Sequence, residues 1–61
     1  AFASVVAKTF IKKDSVLTEK NICLKRPGNG DFLTKDFSKM IGKKVNRNIQ
    51  ENIQIKKNYI K

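Results

Sequence analysis

Residues 11–22 read IKKDSVLTEKNI, and residues 49–60, which lie 38 positions later, read IQENIQIKKNYI. The first, seventh and last positions are Ile or Leu in both segments, so the two segments share one apolar spacing. The fourth position is Asp14 in one segment and Asn52 in the other, and both residue types tolerate left-handed backbone geometry. The repeat predicts two similar units in a pseudo-twofold arrangement, in which each unit covers the apolar face of the other.

The chain around the repeat predicts short strands and turns. The β-branched run over residues 3–7 predicts one strand, and the alternation of Ile22 and Leu24 with their neighbours predicts a second. Residues 18–21 predict a single helical turn, with Thr18 as its N-cap. We therefore predict a small, compact, mostly β fold of short strands with one or two short helical turns.

A further helical segment of about two turns is predicted after the middle of the chain. Thr34 offers an N-cap, and Phe37, Met40 and Ile41 have the i, i+3, i+4 spacing of one helix face. Gly42 is suited to end the helix because glycine adopts a positive φ without steric cost.

The composition excludes several classes of protein. The chain has 61 residues, so we expect one domain over residues 1–61, with too little material for a deep catalytic cleft. It contains no His, which removes the commonest general base near neutral pH and the commonest metal ligand. No run of about 18 apolar residues is present, so we predict no membrane span.

The single cysteine, Cys23, excludes an intramolecular disulfide framework. We interpret Cys23 as a small buried apolar residue, and we expect no metal site because a lone thiol has no partner ligands. The lack of disulfides and of a signal-peptide pattern indicates a reducing compartment, so we predict a cytoplasmic location.

The strongest loop in the sequence is KRPGNG over residues 25–30. Arg26 carries a planar, permanently charged set of donors, and a loop stiffened by Pro and Gly would present it at little cost in ordering entropy. Asn29 and the backbone amides of Gly28 and Gly30 could add donors at the same edge. The alternative is a solvated arginine at a strand end, followed by a tight turn.

Several segments together resemble the antifreeze-like (SAF) domain: residues 3–7, 11–13, 16–19, 21–22, 25–30 and 41–44. This domain closes the C-terminus of bacterial N-acetylneuraminate (sialic acid) synthases, and it is similar to the fish type III antifreeze proteins. The resemblance covers nearly the whole chain, and residues 25–30 are its most specific part and favour the synthase branch. It implies a "pretzel" β-clip with internal pseudo-twofold symmetry. One departure is Asp14, where the family usually has Gly.

The resemblance also implies a function. The parent synthases condense phosphoenolpyruvate with N-acetylmannosamine in a TIM barrel that uses a divalent metal, Mn or Mg. They are domain-swapped homodimers, in which the SAF domain of one chain caps the active site of the other and supplies an arginine to the amino sugar. The matching residue here is Arg26. By itself the chain is expected to be non-catalytic and to need no cofactor.

Ice binding is the second interpretation, because it needs only a flat, weakly polar surface. The hydrated ammonium groups of two lysines in that neighbourhood should disturb ordered water, which ranks this function below the first. The candidate ice face consists of Thr9, Val16, Thr18, Lys20, Asn21 and Lys44.

Nucleic-acid binding is the third interpretation, and it is prompted by the net charge of +9. Phosphate neutralisation would give a salt-dependent affinity. However, the lysine pairs at 12–13, 43–44 and 56–57 are dispersed, and one Tyr and four Phe leave no stacking platform once the core is filled. The charge could equally attract a phosphorylated, carboxylated substrate.

Overall fold

The computed structural model describes residues 2–61, and two antiparallel strands form its sheet. Strand β1 spans Ser4–Ala7 and strand β2 spans Ile22–Lys25, with Ser4 opposite Lys25. All four residues of β1 are buried. Both predicted strands are confirmed, and β1 begins one residue later than predicted.

Helical structure falls in two places of the described chain. The first begins as a 3₁₀ turn over Thr34–Asp36 and continues as helix α1 over Phe37–Met40, as predicted. The second is a 3₁₀ turn over Lys57–Tyr59. Gly42 follows α1 with a φ of 93°, the left-handed conformation that favours glycine after a helix. Within residues 2–61, no helix has the length and apolar character needed to cross a bilayer.

Leu33 occupies the N-cap position of this helical segment, so the prediction that Thr34 caps it is wrong. The Leu33 N–H donates to Asp36 Oδ2 at 2.9 Å. A carboxylate accepts a stronger, charge-assisted hydrogen bond than a hydroxyl does, so Asp36 satisfies this end of the helix from inside its first turn. The same N–H lowers the pKa of the Asp36 carboxyl below its usual value.

Residues 18–21 form a hydrogen-bonded turn, where the sequence predicts a helical turn. Thr18 Oγ1 accepts a hydrogen bond from the Lys20 N–H at 3.2 Å, as expected of a cap. The Asn21 N–H donates to the Thr18 carbonyl at 3.2 Å, which closes the turn. Because β2 begins at Ile22, the chain leaves this turn at once and no helix forms.

The two turns of the repeat have the same backbone geometry. Asp14 has a φ of 72° and Asn52 has a φ of 71°. The Asp14 N–H donates to the Val45 carbonyl at 2.9 Å, and the Asn52 N–H donates to the Ala7 carbonyl at 2.7 Å. Since Val45 follows Ala7 by 38 positions, each bond is the repeat image of the other. Asp14 therefore keeps the left-handed turn without a glycine.

The pseudo-twofold axis passes between Ile11 and Ile49. Each of these residues donates its N–H to the carbonyl of the other, at 2.8 Å in both directions. The β-bridge between Val16 and Lys44 likewise corresponds to the bridge between Val6 and Gln54. The predicted repeat is confirmed, and it extends beyond the twelve matched positions to residues 5–22 and 43–60.

The core lies between the two units, and repeat partners fill it together. Ala7 and Val45 are both buried, as are the pair Leu17 and Ile55. The apolar side chains of the two units are buried against each other, and neither unit could bury its apolar face alone. The buried cluster consists of Val5, Ala7, Ile11, Leu17, Ile22, Met40, Val45, Ile49 and Ile55.

Strand β2 turns only its first residue fully into this core. Ile22 is buried, Cys23 is half-buried and Leu24 is 39% exposed. The interpretation of Cys23 as a buried residue is therefore wrong. Leu24 and Lys25 are both exposed, so the end of β2 lies at the surface.

Candidate functional site

The loop of interest runs from Arg26 to Asp31, directly after β2. Arg26 is exposed, and the peptide bond between Arg26 and Pro27 is cis. Within residues 2–61, the Arg26 guanidinium makes no hydrogen bond or ion pair. Its planar donors therefore remain available to a ligand.

A buried serine ties this loop to the first strand. Ser4 has no exposed surface, and its Oγ donates to the Pro27 carbonyl at 2.7 Å. The same oxygen accepts a hydrogen bond from the Gly30 N–H at 2.9 Å. One hydroxyl thus holds two backbone groups on opposite sides of the loop.

The second unit of the repeat holds the outer side of the loop. Gln54 Nε2 donates to Asn29 Oδ1 at 2.8 Å. The Lys57 N–H donates to Asp31 Oδ2 at 2.9 Å. Together with the two bonds of Ser4, these contacts anchor the loop at four points, so it is preorganised.

Close approach of the backbone explains the first glycine of the loop. A Cβ atom at Gly28 would lie 2.4 Å from Phe2 Cβ and 2.7 Å from the Phe2 carbonyl carbon. At Gly30 a Cβ atom would lie 3.0 Å from both Ser4 Oγ and Gln54 Oε1. At 2.4 Å the first contact is a clash, so a side chain at position 28 would force the loop or the N-terminal segment to shift.

The structure brings the four predicted substrate-binding residues together in one loop, but it leaves them unequally available. Arg26 and Asn29 are exposed. The Gly30 N–H is committed to Ser4 and Asn29 Oδ1 to Gln54. Their role in substrate binding, including that of Gly28, stays a prediction. The available donors are those of the Arg26 guanidinium and the Asn29 side-chain amide.

Sequence reasoning missed the residues that hold the loop. Ser4 carried a signal, because a polar residue inside a buried strand needs a hydrogen-bond partner. Gln54 and the Lys57 N–H carried none, since they contact the loop only through the long-range pairing of the two units.

An apolar groove of about 630 Å³ lies beside the loop, lined by Phe2, Leu33, Thr34 and Lys35. Phe2 is 73% exposed, although its backbone packs against Gly28. The groove therefore adjoins the segment that carries Arg26.

The second arginine, Arg47, is placed differently. Its guanidinium carbon lies 4.5 Å from the centre of the Tyr59 ring, in a cation–π contact. Its Nε donates to Asn46 Oδ1 at 3.0 Å, and its Nη2 donates to the Asn58 carbonyl at 3.4 Å. Arg47 is thus engaged in holding the second unit together.

The candidate ice face is assembled around Asn21. The β-bridge sets Val16 beside Lys44, and Asn21 Nδ2 donates to the Val16 carbonyl at 3.0 Å. Asn21 Oδ1 accepts from the Thr18 N–H at 2.8 Å, so the amide of Asn21 is committed to the fold. Lys20 and Lys44 are exposed. Thr9, also exposed, turns its hydroxyl to the neighbouring carbonyl of residue 10 at 3.3 Å.

A carboxylate lies near this face, in the first turn. Lys61 Nζ lies 2.8 Å from Asp14 Oδ1, and this hydrogen bond lowers the pKa of the Asp14 carboxyl. Lys13 and Lys44 act in the same direction by charge. One carboxylate therefore lies among three ammonium groups, and the surface around it remains basic.

The resemblance implies a divalent metal in the barrel of the parent synthases, and none in this domain. Among the residues that the structure describes, no group of three or more His, Cys, Asp or Glu side chains is placed to hold a metal ion. No chemical step is therefore assigned here to a metal.

Residues 2–60 match the SAF domain family. The chain belongs to the SAF domain family. Its fold is similar to the solution structure of an antifreeze protein like domain in the human N-acetylneuraminic acid phosphate synthase gene. The TM-score is 0.89 with 29% sequence identity, over 95% of this chain and 73% of the human one. No curated protein matches the chain.

The SAF assignment confirms the predicted family and fold class. The fold of this SAF domain is the expected compact β-clip of short strands, similar to that of the human domain. Because the SAF domain is small, we assign no catalytic residues to it.

Proposed function

We propose that this SAF domain is the C-terminal cap of a sialic acid (N-acetylneuraminate) synthase, a transferase that condenses phosphoenolpyruvate with N-acetylmannosamine. The observation that carries the proposal is Arg26, exposed and unpaired within the described chain, on a loop anchored at four points. The likeness to the human domain supports the same parent class.

In this role Arg26 donates charge-assisted hydrogen bonds to the amino sugar near its N-acyl group. The Asn29 amide is available to add a donor beside it. Because the loop is already ordered, little conformational entropy is lost when the sugar binds. The domain contributes orientation of the substrate, and the chemical step belongs to the barrel.

The proposed partner is the TIM-barrel domain of the second chain in a domain-swapped homodimer, with its divalent Mn or Mg. The groove beside the loop offers an exposed apolar surface for that contact through Phe2. The net charge of +9 would help attract phosphoenolpyruvate, which carries phosphate and carboxylate groups. A cytoplasmic location is part of this proposal.

Steady-state kinetics of a full-length synthase that carries this domain test the proposal. Arg26→Ala should raise the KM for N-acetylmannosamine roughly 10–100-fold, from the loss of about 1.5–3 kcal/mol in charged hydrogen bonds. The KM for phosphoenolpyruvate should not change. Unaltered kinetics for the amino sugar would show that Arg26 does not contact this substrate.

The matched control is Arg47→Ala, because Arg26 and Arg47 are the two arginines of the chain. It removes the same charge from a residue that is engaged with Tyr59. We expect it to lower the melting temperature and to leave the KM for the amino sugar unchanged.

Ice binding is the second candidate, and the juxtaposition of Val16, Thr18 and Asn21 on one surface favours it. Two features oppose it. The Asn21 side-chain amide is hydrogen-bonded to the backbone of Val16 and Thr18. Lys20 and Lys44 are exposed, and their ammonium groups are hydrated. Thermal hysteresis of the isolated domain separates the two functions, and we expect little or none. Strong hysteresis would favour ice binding.

A further inference from the structure

The polar side chain buried in β1 has a single, well-defined set of partners. Ser4 is fully buried, and the other three residues of its strand are apolar. Burying a hydroxyl is unfavourable unless it is hydrogen-bonded, so its two bonds offset that cost. Both bonds end on the loop that carries Arg26, at Pro27 and Gly30.

The backbone of Ser4 contacts the chain on both sides of the same loop. In the sheet, Ser4 lies opposite Lys25, the residue before Arg26. A β-bridge joins Ser4 to Leu33, which follows the loop. The entry, the interior and the exit of the loop therefore all meet at one residue.

We infer that Ser4 is a positioning residue that fixes the Arg26 loop in its binding-competent conformation. The inference rests on the proposed function of Arg26. Without the hydroxyl, the Pro27 carbonyl and the Gly30 N–H lose their partner, and the loop can leave the strand. Arg26 must then be ordered when the amino sugar binds, which weakens substrate binding.

The first test measures amide hydrogen exchange in the chain itself. In Ser4→Ala, the Gly30 amide should exchange at least about tenfold faster, and more so than the Ile11 and Ile49 amides, which report opening of the core. Ser38→Ala removes an exposed serine from α1 and is the matched control. Equal acceleration at Gly30 and in the core would reduce Ser4 to a general stability residue and overturn the inference.

A second variant covers the case in which Ser4→Ala does not fold. Ser4→Cys keeps a side chain of similar size but offers a weaker donor and acceptor. It should accelerate exchange at Gly30 selectively, to a smaller degree than Ser4→Ala. If the Gly30 amide exchanges in Ser4→Cys as it does in the unsubstituted chain, the hydroxyl does not hold the loop.

The second test separates this inference from the function of Arg26. In a full-length synthase that carries this domain, Ser4→Ala should raise the KM for the amino sugar about tenfold and leave the KM for phosphoenolpyruvate unchanged. In an Arg26→Ala background, the same substitution should have no further effect, because Ser4 acts through Arg26.

The outcomes are distinguishable. If Arg26→Ala leaves the amino-sugar KM unchanged, the proposed function fails, and Ser4 has no Arg26 site to position. If Arg26→Ala raises that KM and Ser4→Ala does not, the function stands and the positioning role of Ser4 fails. An equal effect of Ser4→Ala in both backgrounds would show that it acts independently of Arg26, which also contradicts the inference.

Discussion

The two arginines of this SAF domain have the same chemistry and opposite surroundings. Arg47 stacks on Tyr59 and donates to Asn46 and Asn58, all within the second unit. Arg26 is exposed, and its guanidinium contacts no acceptor within residues 2–61. Around Arg47 the protein provides partners for the arginine side chain itself, whereas around Arg26 it provides partners for the other polar groups of the loop.

This difference separates a structural arginine from one available for binding. Four hydrogen bonds hold the Arg26 loop, and none of them involves the guanidinium. A loop that is already ordered and carries an unpaired charged group can bind a ligand with little loss of conformational entropy. Substitutions in the contacts around Arg26 and around Arg47 test this difference.

The largest effect is expected at Gly28, where the loop meets Phe2. Gly28→Ala would place a Cβ atom 2.4 Å from Phe2 Cβ, and overpacking of this kind costs about 1–3 kcal/mol. Thermal or urea unfolding measures the loss. Gly42→Ala is the control, because it has open space but a positive φ, and it should cost about 1 kcal/mol. A fully stable Gly28→Ala would show that the Phe2 contact gives way easily.

The next effect is expected at Gln54, which holds Asn29 from the second unit. Gln54→Leu keeps a side chain of similar size and removes the hydrogen bond, at a cost of about 1 kcal/mol. Increased mobility of residues 26–31 in NMR relaxation should accompany it. Gln50→Leu changes an exposed glutamine in the turn of the same unit and provides the control. Unchanged loop dynamics in Gln54→Leu would leave Ser4 as the main anchor.

The contacts of Arg47 should contribute less to the free energy of unfolding than the contacts of the Arg26 loop. Tyr59→Leu removes the ring from beneath the guanidinium and keeps an apolar side chain in the half-buried site, so the lost cation–π contact should cost about 0.5–1 kcal/mol. A double-mutant cycle with Arg47→Ala measures the coupling between the two residues. Additive effects would mean that the two side chains do not stabilise one another.

The smallest effect concerns the acid end of the pH range. The Asp36 pKa is lowered from the usual 3.8 by the Leu33 N–H, so this carboxylate stabilises the fold above pH 3.8. Its contribution is lost as the pH falls through the lower folded-state value. Asp36→Asn keeps an acceptor oxygen and removes the titration. Between about pH 5 and about pH 3, its melting temperature should therefore fall less than that of the unsubstituted chain.

The control for this pH series is Glu19→Gln, which changes an exposed carboxylate in the 18–21 turn. If Asp36→Asn and the unsubstituted chain lose stability with the same slope, Asp36 does not contribute to acid unfolding.

Much of the fold could be predicted because it depends on local patterns that are repeated. The apolar spacing shared by residues 11–22 and 49–60, together with Asp14 and Asn52, predicts both turns and the pseudo-twofold relation. The two strands and the helix likewise follow from short-range composition. The prediction for Thr34 was wrong because the Asp36 carboxylate competes as the acceptor at the helix start. The prediction for Cys23 was wrong because the core does not extend far enough along β2 to bury it.

The candidate site was only half predictable. The loop and Arg26 stand out in sequence because Pro and Gly mark the turn and the resemblance marks the arginine. Its anchors come from Ser4, 22 positions before Arg26, and from Gln54, 28 positions after it. Such contacts are set by tertiary pairing of the two units, which no local pattern specifies.

We propose that Arg26 contacts the N-acyl group of the amino sugar. The most direct measurement compares kcat/KM for N-acetylmannosamine with kcat/KM for mannose, which lacks that group, in a full-length synthase with and without Arg26→Ala. We predict that the substitution lowers the preference for the N-acetylated sugar roughly 10–100-fold. A preference that Arg26→Ala leaves unchanged would contradict the claim.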